Sequence, residues 1–310
     1  MRKALVTGSE GFIGRHMVEH LRKEGYEVWD SVELAEYAKG IESDHFVKCD
    51  VRAAEEVNDA IGKSMPDVIY HLAAQSYPTV SWEKPQLTLE TNAIGTANLF
   101  ESILKHGLDP IVVVACSSAE YGFVREDEVP VKETHLLQPL HPYGVSKVAT
   151  DLLTYQYYKN NGVKGVRARI FNTTGPGKVK DVVSDFAKRT AECKAGKRDK
   201  VTHGNIQTRR DITDVRDQVR ALHSLEKADY GEVYNLCSMT TYKIGDLLDQ
   251  LIEMAGGKIR TEEDPKLMRP TDEPIIMGDN TKLVKKTGWK PKIRIEQTLK
   301  DTLGYWVDRV

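Results

Sequence analysis

Residues 3–14 read KALVTGSEGFIG, and this stretch decides the fold class. The apolar residues of 3–7 predict a buried strand, and the helical pattern after the glycines runs to Lys23 and ends at Gly25. A glycine-rich turn between a first strand and a first helix is typical of a parallel sheet that binds a dinucleotide. The start of the chain therefore predicts such a sheet.

The turn has glycine at three positions, Gly8, Gly11 and Gly14. Glycine is needed there for the tight turn, for close approach of the backbone to a pyrophosphate, and for close packing of helix on strand. Phe12 and Ile13 open the helix, whose free N–H groups would point at the phosphates. These five residues are predicted to bind the cofactor.

Strand and helix patterns then alternate along the chain. Such alternation predicts an α/β fold, a doubly wound parallel sheet (Rossmann) with a smaller C-terminal substrate lobe. Residues 1–170, with about 212–240, are assigned to the dinucleotide-binding domain, and about 171–211 with 241–310 to the substrate lobe. Strands are predicted at 26–32, 45–50, 67–72, 111–115, 166–171 and 232–237, and helices at 91–105, 143–159, 214–225 and 244–255.

Composition excludes several classes of partner. The chain has 310 residues, with 44 basic and 46 acidic side chains and a net charge of −2, so nothing draws it as a whole to nucleic acid or to an anionic membrane. No apolar run approaches a membrane span, and the residues after Met1 do not resemble a secretory signal. The four cysteines stand far apart, which predicts no metal site and fits a reducing cytoplasm.

The loops after the second, third and fourth strands are expected to line the cofactor. Asp30 and Glu33 are candidates for the ribose hydroxyls, and with no arginine near them in sequence NAD is slightly favoured over NADP; both acids could equally be merely solvated. Asp50 is predicted to cap the next helix and, with Val51, to meet the adenine edge. The small residues after the fourth strand allow close approach of the backbone, so the loop Leu72, Ala73 and Ala74 is assigned to the cofactor site.

The stretch from Ser117 to Lys147 carries the candidate chemistry. Tyr143 and Lys147 are four residues apart, so on a helix their phenol and ammonium share one face. An ammonium about 4 Å from the phenol would lower its pKa by roughly three units, or about 4 kcal/mol. Ser117 or Ser118, at the end of a strand, could hold a substrate oxygen beside it. Taken alone, such a pair is also an ordinary feature of a helix surface.

Several of these motifs together resemble one family. The glycine turn, residues 71–75 (His-Leu-Ala-Ala-Gln), Asn92, Ser117-Ser118 and Tyr143-x-x-x-Lys147 are similar to the extended short-chain dehydrogenase/reductases, which include nucleotide-sugar epimerases, dehydratases and reductases. The resemblance implies an NAD or NADP cofactor. It implies that Tyr143 is the acid/base, that Lys147 lowers its pKa and holds the nicotinamide ribose, and that Ser117 holds the substrate oxygen.

The same resemblance extends to the substrate and to a partner. It places Asn92 in the cofactor site and Gln75, Ser118 and Asn172 in the substrate site, with Arg210 and Arg269 as candidates for a nucleotide diphosphate and ribose. It implies a homodimer formed through helices near 92–105 and 143–159, although these helices could simply pack on the sheet. His71 is expected to be a packed strand residue.

The loop after the fifth strand separates the activities within the family. The 4,6-dehydratases carry a glutamate here that removes a sugar proton, and an alignment on Tyr121-Gly122 without a gap puts Ala119 at that position. One deleted residue would instead put Glu120 there. Stretches such as 117–122 and 171–177 resemble the GDP-sugar branch, which implies NAD(P)H-dependent reduction of the C4 carbonyl of a GDP-4-keto-6-deoxy-hexose. A GDP-mannose 4,6-dehydratase with Glu120 as base, a 4-epimerase and a non-catalytic dinucleotide sensor remain as alternatives.

Overall fold

The structure, a computed structural model, describes residues 1–33, 45–268 and 273–310. Its strands are β1 (Lys3–Thr7), β2 (Glu27–Val32), β3 (His45–Lys48), β4 (Val68–His71), β5 (Ile111–Ser117), β6 (Lys164–Ile170), β7 (Asn172–Thr174), β8 (Lys200–His203), β9 (Arg209–Asp214), β10 (Val233–Leu236), β11 (Thr241–Lys243), β12 (Arg260–Glu263) and β13 (Ile275–Ile276). Its helices are α1 (Phe12–Lys23), α2 (Ala54–Ser64), α3 (Pro78–Glu83), α4 (Pro85–Leu89), α5 (Gly95–Lys105), α6 (Pro142–Asn161), α7 (Val182–Lys194), α8 (Val215–Ser224), α9 (Ile244–Met254), α10 (Thr281–Thr287) and α11 (Ile295–Val307).

Seven strands form one parallel sheet in the order β10-β6-β5-β4-β1-β2-β3. The order reverses at β1, which lies between β2 and β4. In open α/β sheets a ligand binds at the carboxyl ends of the strands where the order reverses. The predicted fold class is confirmed, and the sheet places the glycine turn at this crevice.

Both faces of the sheet are buried, which explains the nearly continuous apolar strands. Successive residues of a strand point to opposite faces. Accordingly Val6 packs in the core with Met17 of α1, while its neighbour Leu5 packs in the core with Phe100 of α5. The strand predictions at 3–7, 67–72, 166–171 and 232–237 were therefore right to within one or two residues at each end.

The second lobe is built on smaller sheets. β9 pairs with β7, β11 and β13, while β8 pairs with β12. Helices α7, α9 and α11 enclose a core that includes Phe186, Leu247 and Leu299. Leu283 and Trp289, near the end of the chain, lie instead in the core beside the main sheet. The domain boundaries stay a prediction.

One further feature bears on the site. The predicted helix at 91–105 begins as a π-helical turn, Glu90–Ile94, which continues into α5.

Among the described residues, no helix combines the length and the apolar character that crossing a bilayer requires.

Candidate active site

The glycine turn has the geometry that a dinucleotide requires. Gly8 has a φ of +69°, and a Cβ added there would lie 2.8 Å from the Cα of Ala73, while one added at Gly14 would lie 2.1 Å from the Gly8 carbonyl oxygen. Neither position tolerates a side chain. Gly11 is the N-cap of α1 and no side chain caps that helix, so its first N–H groups are left for an anionic ligand.

Thr7 connects this turn to the loop after β4. Its Oγ1 accepts hydrogen bonds from the backbone N–H groups of Leu72 at 3.1 Å and Ala73 at 3.2 Å, and lies 2.9 Å from Nδ1 of His71. His71 is buried, as predicted for a packed strand residue. Burial, and secondly Lys147, lowers its pKa to about 3, so the ring is neutral. Thr7 therefore fixes the loop that continues to Ala74, a role that the sequence did not indicate.

Ser117, Tyr143 and Lys147 meet at the carboxyl end of β5. Tyr143 and Lys147 lie one turn apart in α6, and the side chain of Ser117 acts to lower the pKa of the Tyr143 phenol. Lys147 is buried, and its Nζ donates to the carbonyl of Ala115 at 2.7 Å. The sequence prediction thus named three residues that the fold brings together.

The predicted lowering of the phenol's pKa by Lys147 stays a prediction. Burial raises the pKa of Tyr143 to about 12. Ser117 acts in the opposite direction, and its effect on the pKa is smaller than that of burial. A raised pKa keeps the phenol protonated at neutral pH, which is the form that can donate a proton.

Glu120 does not face the site. It is fully buried, and its Oε1 accepts the backbone N–H of Ser117 at 2.7 Å. Its Oε2 lies 3.1 Å from Nε of Arg169. Burial, and secondly Asp151, raises the pKa of Glu120 well above its ordinary value. Glu120 is therefore bonded within the protein, and its role as a catalytic base stays a prediction.

Arg169 joins two buried carboxylates. Its Nε lies 3.1 Å from Glu120 Oε2 and 3.0 Å from Asp151 Oδ2, and its Nη1 donates to the hydroxyl of Tyr121 at 3.0 Å. Asp151 also pairs with Arg167 at 2.7 Å. This network was not predicted from the sequence. The sequence did carry a signal for it, namely two arginines at alternate positions of an apolar strand. An arginine in a strand that is buried on both faces needs a buried counter-charge.

Two predicted ligand contacts turn out to be structural. Asn92 Oδ1 accepts the N–H of Gln75 at 2.9 Å, and its Nδ2 donates to the Gln75 carbonyl and to Oγ of Ser146. The side-chain amide of Gln75 bonds to the backbone of Tyr77 and to Oγ1 of Thr88. Asn92 and Gln75 therefore hold the loop against α6, and the predicted direct contacts with cofactor and substrate are not supported.

Asp30 is also placed away from the crevice. Its carboxylate is fully buried and bonds to Arg22 at 2.6 Å. Arg22 lies in the last turn of α1, about 15 Å along the helix from the end where a pyrophosphate would bind. The predicted contact of Asp30 with the ribose is therefore wrong.

The acids after β2 and β3 are paired with an arginine. Asp50 Oδ1 accepts the backbone N–H of Arg52 at 2.9 Å, and Arg52 also pairs with Glu33 at 2.9 Å. α2 begins at Ala54 with no side-chain cap, so the predicted capping by Asp50 was wrong. Arg52, although distant from Glu33 in sequence, therefore lies beside it in the fold. Val51 is buried, and contact of this loop with adenine stays a prediction.

The predicted substrate residues lie on the second lobe or face it. Asn172, the first residue of β7, is exposed and donates to the carbonyl of Asp211 at 3.2 Å. Arg210 is buried on β9 and donates to the carbonyls of Arg209 and Glu273. Ser118 follows β5 directly and is half-buried. Their roles stay predictions, and Arg269 lies outside the described residues.

A loop of the second lobe touches the first turn of α1. Nζ of Lys178 lies 4.8 Å from the ring centroid of Phe12, and Nε2 of His16 lies 3.1 Å from the carbonyl oxygen of Pro176. Burial lowers the pKa of Lys178. The loop thus brings a cation beside the helix end where phosphates are expected. The sequence analysis did not identify Lys178.

Comparison with known proteins supports the resemblance drawn from the motifs. The chain is 31% identical over 313 residues to GDP-6-deoxy-D-mannose reductase of Pseudomonas aeruginosa, an alignment that covers 100% of this chain and 98% of that protein. The solved structure of RMD from Pseudomonas aeruginosa complexed with NADPH matches with a TM-score of 0.89 at 30% identity, over 100% of both chains. A UDP-glucose 4-epimerase from Thermus thermophilus, solved with NAD, matches with a TM-score of 0.87 at 31% identity, also over 100% of both.

These relatives confirm the predicted family of nucleotide-sugar enzymes. Their names include a reductase and an epimerase, so likeness alone does not separate the activities. The family model of the GDP-mannose 4,6 dehydratases matches residues 5–302, almost the whole chain. The chain belongs to the GDP-mannose 4,6 dehydratase family.

Proposed function

We propose that this chain reduces the C4 carbonyl of a GDP-4-keto-6-deoxy-hexose with NADH or NADPH, forming GDP-D-rhamnose. The similar reductase of Pseudomonas aeruginosa supports the substrate class. The relatives solved with NADPH and with NAD support the cofactor class. The glycine turn, in which a side chain at Gly8 or Gly14 would collide with backbone, fits such a cofactor.

The position of Glu120 favours reduction over dehydration. A dehydratase needs a carboxylate beside the substrate to remove the sugar C5 proton. The only carboxylate of the segment 117–120 belongs to Glu120, and that group is fully buried and bonded to Ser117 and Arg169. The alignment without a gap, which puts Ala119 at the place of the dehydratase glutamate, agrees with this burial. This arrangement supports carbonyl reduction over elimination, for which the loop would need a carboxylate that faces the substrate.

The roles of the side chains follow from their geometry. A bound reduced nicotinamide would supply the hydride. Tyr143, protonated because burial raises its pKa to about 12, donates the proton to the C4 oxygen. Ser117, whose side chain acts to lower the pKa of the phenol, positions that oxygen. Lys147 contributes a buried positive charge beside the site. One hydride on carbon and one proton on oxygen convert the ketone to the alcohol.

Product analysis tests the proposal. Purified protein is first incubated with GDP-mannose without added reduced cofactor, and the product mass is read; we expect no change. The 4-keto-6-deoxy sugar is then supplied with NADH and with NADPH, and oxidation of the nicotinamide is followed by absorbance. Loss of one water in the first assay would establish a dehydratase and refute the reductase assignment. Inversion at C4 without net oxidation of cofactor would establish an epimerase.

Glu120→Gln tests whether Glu120 acts on the substrate or only holds the loop through the N–H of Ser117. The amide oxygen can still accept the N–H of Ser117, so we expect the rate of ketone reduction to stay within about threefold of the wild type. Reductase activity is measured under saturating cofactor and sugar. A loss of about a hundredfold or more, with the protein still folded by circular dichroism, would give Glu120 a role in the reduction itself and contradict this expectation.

We also propose that two copies of the chain associate through α5, α6 and the turns before them. α6 carries a stripe of apolar side chains on its outer face, with Val145 47% and Leu152 52% exposed. Ile94, in the turn that leads into α5, is 53% exposed, and Trp82 of α3 is 65% exposed. Exposed apolar side chains clustered on one face are typical of an interface. A second copy of the same face would cover them.

Leu152→Glu is expected to convert this dimer to a monomer, because it places a charge in the middle of the apolar stripe. Molar mass is measured by light scattering during gel filtration. Met254→Glu is the matched control, since Met254 is also exposed, at 39%, but lies at the end of α9 in the second lobe. A wild-type monomer, or a Leu152→Glu dimer, would contradict the proposed interface.

A further inference from the structure

We propose that Lys178 of the second lobe binds the pyrophosphate of the nicotinamide dinucleotide, so that both lobes hold the cofactor. This role rests on the proposed function, which requires a dinucleotide at the glycine turn. It adds a cationic ligand that the glycine turn itself does not contain. It also makes release of the cofactor depend on movement of a loop in the second lobe.

The segment 175–180, here called the strap, runs from the end of β7 toward the start of α7 and touches both walls of the crevice. Nζ of Lys178 lies 4.8 Å from the ring centroid of Phe12, the first residue of α1. Nζ of Lys180 lies 4.6 Å from the ring centroid of Tyr77, which follows β4 and directly precedes α3. Because β1 and β4 are neighbours in the sheet, the strap crosses the crevice at the carboxyl ends of these two strands.

Hydrogen bonds hold the backbone of the strap against both lobes. Nε2 of His16, in α1, lies 3.1 Å from the carbonyl oxygen of Pro176. The backbone N–H of Lys178 donates to the carbonyl of Gly175 at 3.2 Å, and Oγ of Ser184, in α7, donates to the carbonyl of Lys178. The backbone of Lys178 is therefore fixed, while its long side chain can turn its ammonium toward a ligand in the crevice.

The charge of Lys178 would be stabilised by an anion. Burial lowers the pKa of Lys178, and the charge of Asp181 opposes that effect. The carboxylate of Asp181 is already engaged, since it accepts the N–H of Val183 and Oγ1 of Thr174, each at 3.1 Å. A partly buried cation that rests on an aromatic ring gains when a second negative charge comes within hydrogen-bond distance. A diphosphate would supply that charge.

The position of Lys178 favours the diphosphate of the cofactor over that of a nucleotide sugar. Phe12 opens α1, and no side chain caps the first N–H groups of that helix. In dinucleotide-binding sheets the pyrophosphate lies on this helix end. Asn172, the residue expected to meet a sugar-nucleotide diphosphate, lies at the opposite end of β7 from the strap. An ammonium that rests on the Phe12 ring is therefore placed for the cofactor.

Calorimetric titration without any sugar substrate tests this role. We expect Lys178→Met to weaken both NADH and NADPH about tenfold or more, because it removes one charged hydrogen bond to a phosphate. The two cofactors share the same pyrophosphate, so the factor should be the same for both. Release of NADH, followed by stopped-flow fluorescence, should become faster by a similar factor. Binding of GDP should stay within about twofold.

Three further variants define the effect. Lys178→Gln should give the same loss as Lys178→Met, and circular dichroism checks that each variant is folded. Lys178→Arg keeps the charge and should retain cofactor binding within a few-fold. Lys188→Met is the matched control, since Lys188 also rests on a ring, 5.2 Å from the centroid of Trp306, but on the exposed side of α7. It should change neither cofactor nor GDP binding.

The outcomes separate the role of Lys178 from the proposed function. Weaker binding of GDP with unchanged binding of NADH would assign Lys178 to the nucleotide sugar and overturn the proposal. Unchanged binding of all three ligands by a folded Lys178→Met variant would overturn it as well. An equal loss in Lys188→Met would mean a general effect of charge and would also contradict it. Binding of neither cofactor by the wild type would refute the proposed function, and this role with it.

Discussion

Tyr143→Phe should lower kcat for reduction of the 4-keto sugar by about a thousandfold or more, because a positioned general acid commonly contributes two to four orders of magnitude. The substitution removes only the phenolic hydroxyl and leaves the ring in place. The oxidation of reduced nicotinamide is followed under saturating conditions. Cofactor binding is measured in parallel, and we expect it to change only a few-fold.

Tyr155→Phe is the control for that experiment. Tyr155 lies on the same helix, α6, but its side chain is 41% exposed on the outer face. Its loss should leave kcat within about twofold, since it touches no group of the site. A Tyr143→Phe variant that kept a tenth of the activity would show that another group delivers the proton, and the assignment of Tyr143 would be wrong.

Arg169→Met is expected to cost about 3 to 5 kcal/mol of unfolding free energy, because it leaves a buried carboxylate without its counter-ion. Glu120 is the group most affected, since Arg169 is the only cation in the described chain within 4.0 Å of it. Asp151 keeps a second partner, Arg167, at 2.7 Å. Arg169 also bonds to Tyr121 and to the carbonyl of Glu133, and those bonds are lost as well.

Urea unfolding measures this cost. The deficit should shrink as the pH falls toward about 4, the ordinary pKa of a glutamate, because a carboxyl whose folded pKa is raised stops being destabilising once it is protonated in the unfolded state as well. Adding Glu120→Gln to Arg169→Met should recover part of the loss, since it removes the stranded charge. Lys200→Met breaks an exposed pair with Glu262 and should cost less than about 1 kcal/mol. A cost of less than about 1 kcal/mol for Arg169→Met would mean that the network contributes little to the free energy of unfolding.

The sequence was sufficient for the sheet and for the centre of the site. The glycine spacing at 8, 11 and 14 has a steric reason that the structure confirms, since a Cβ at Gly14 would lie 2.1 Å from a backbone oxygen. Ser117, Tyr143 and Lys147 could be named because the end of a strand and the first turn of a helix fix their positions. Such local constraints can be read from spacing alone.

Other residues were misassigned for a common reason. Asp30, Gln75 and Asn92 stand next to the cofactor loops in sequence, but their side chains bond to Arg22, Thr88 and Ser146. Proximity in sequence does not tell on which face of a strand or loop a polar group lies. Contacts between elements distant in sequence decide that, and one sequence does not report them.

The network around Arg169 has a consequence for how the sequence can vary. The guanidinium is shared by two buried acids. Exchanging it for an apolar residue while both acids stay would leave buried charge without a partner. Losing both acids while the guanidinium stays would do the same. Positions 120, 151 and 169 should therefore be inherited as a unit in the descendants of this protein. Substitution at one should follow substitution at another, and an aligned set of related sequences should show the three positions changing together.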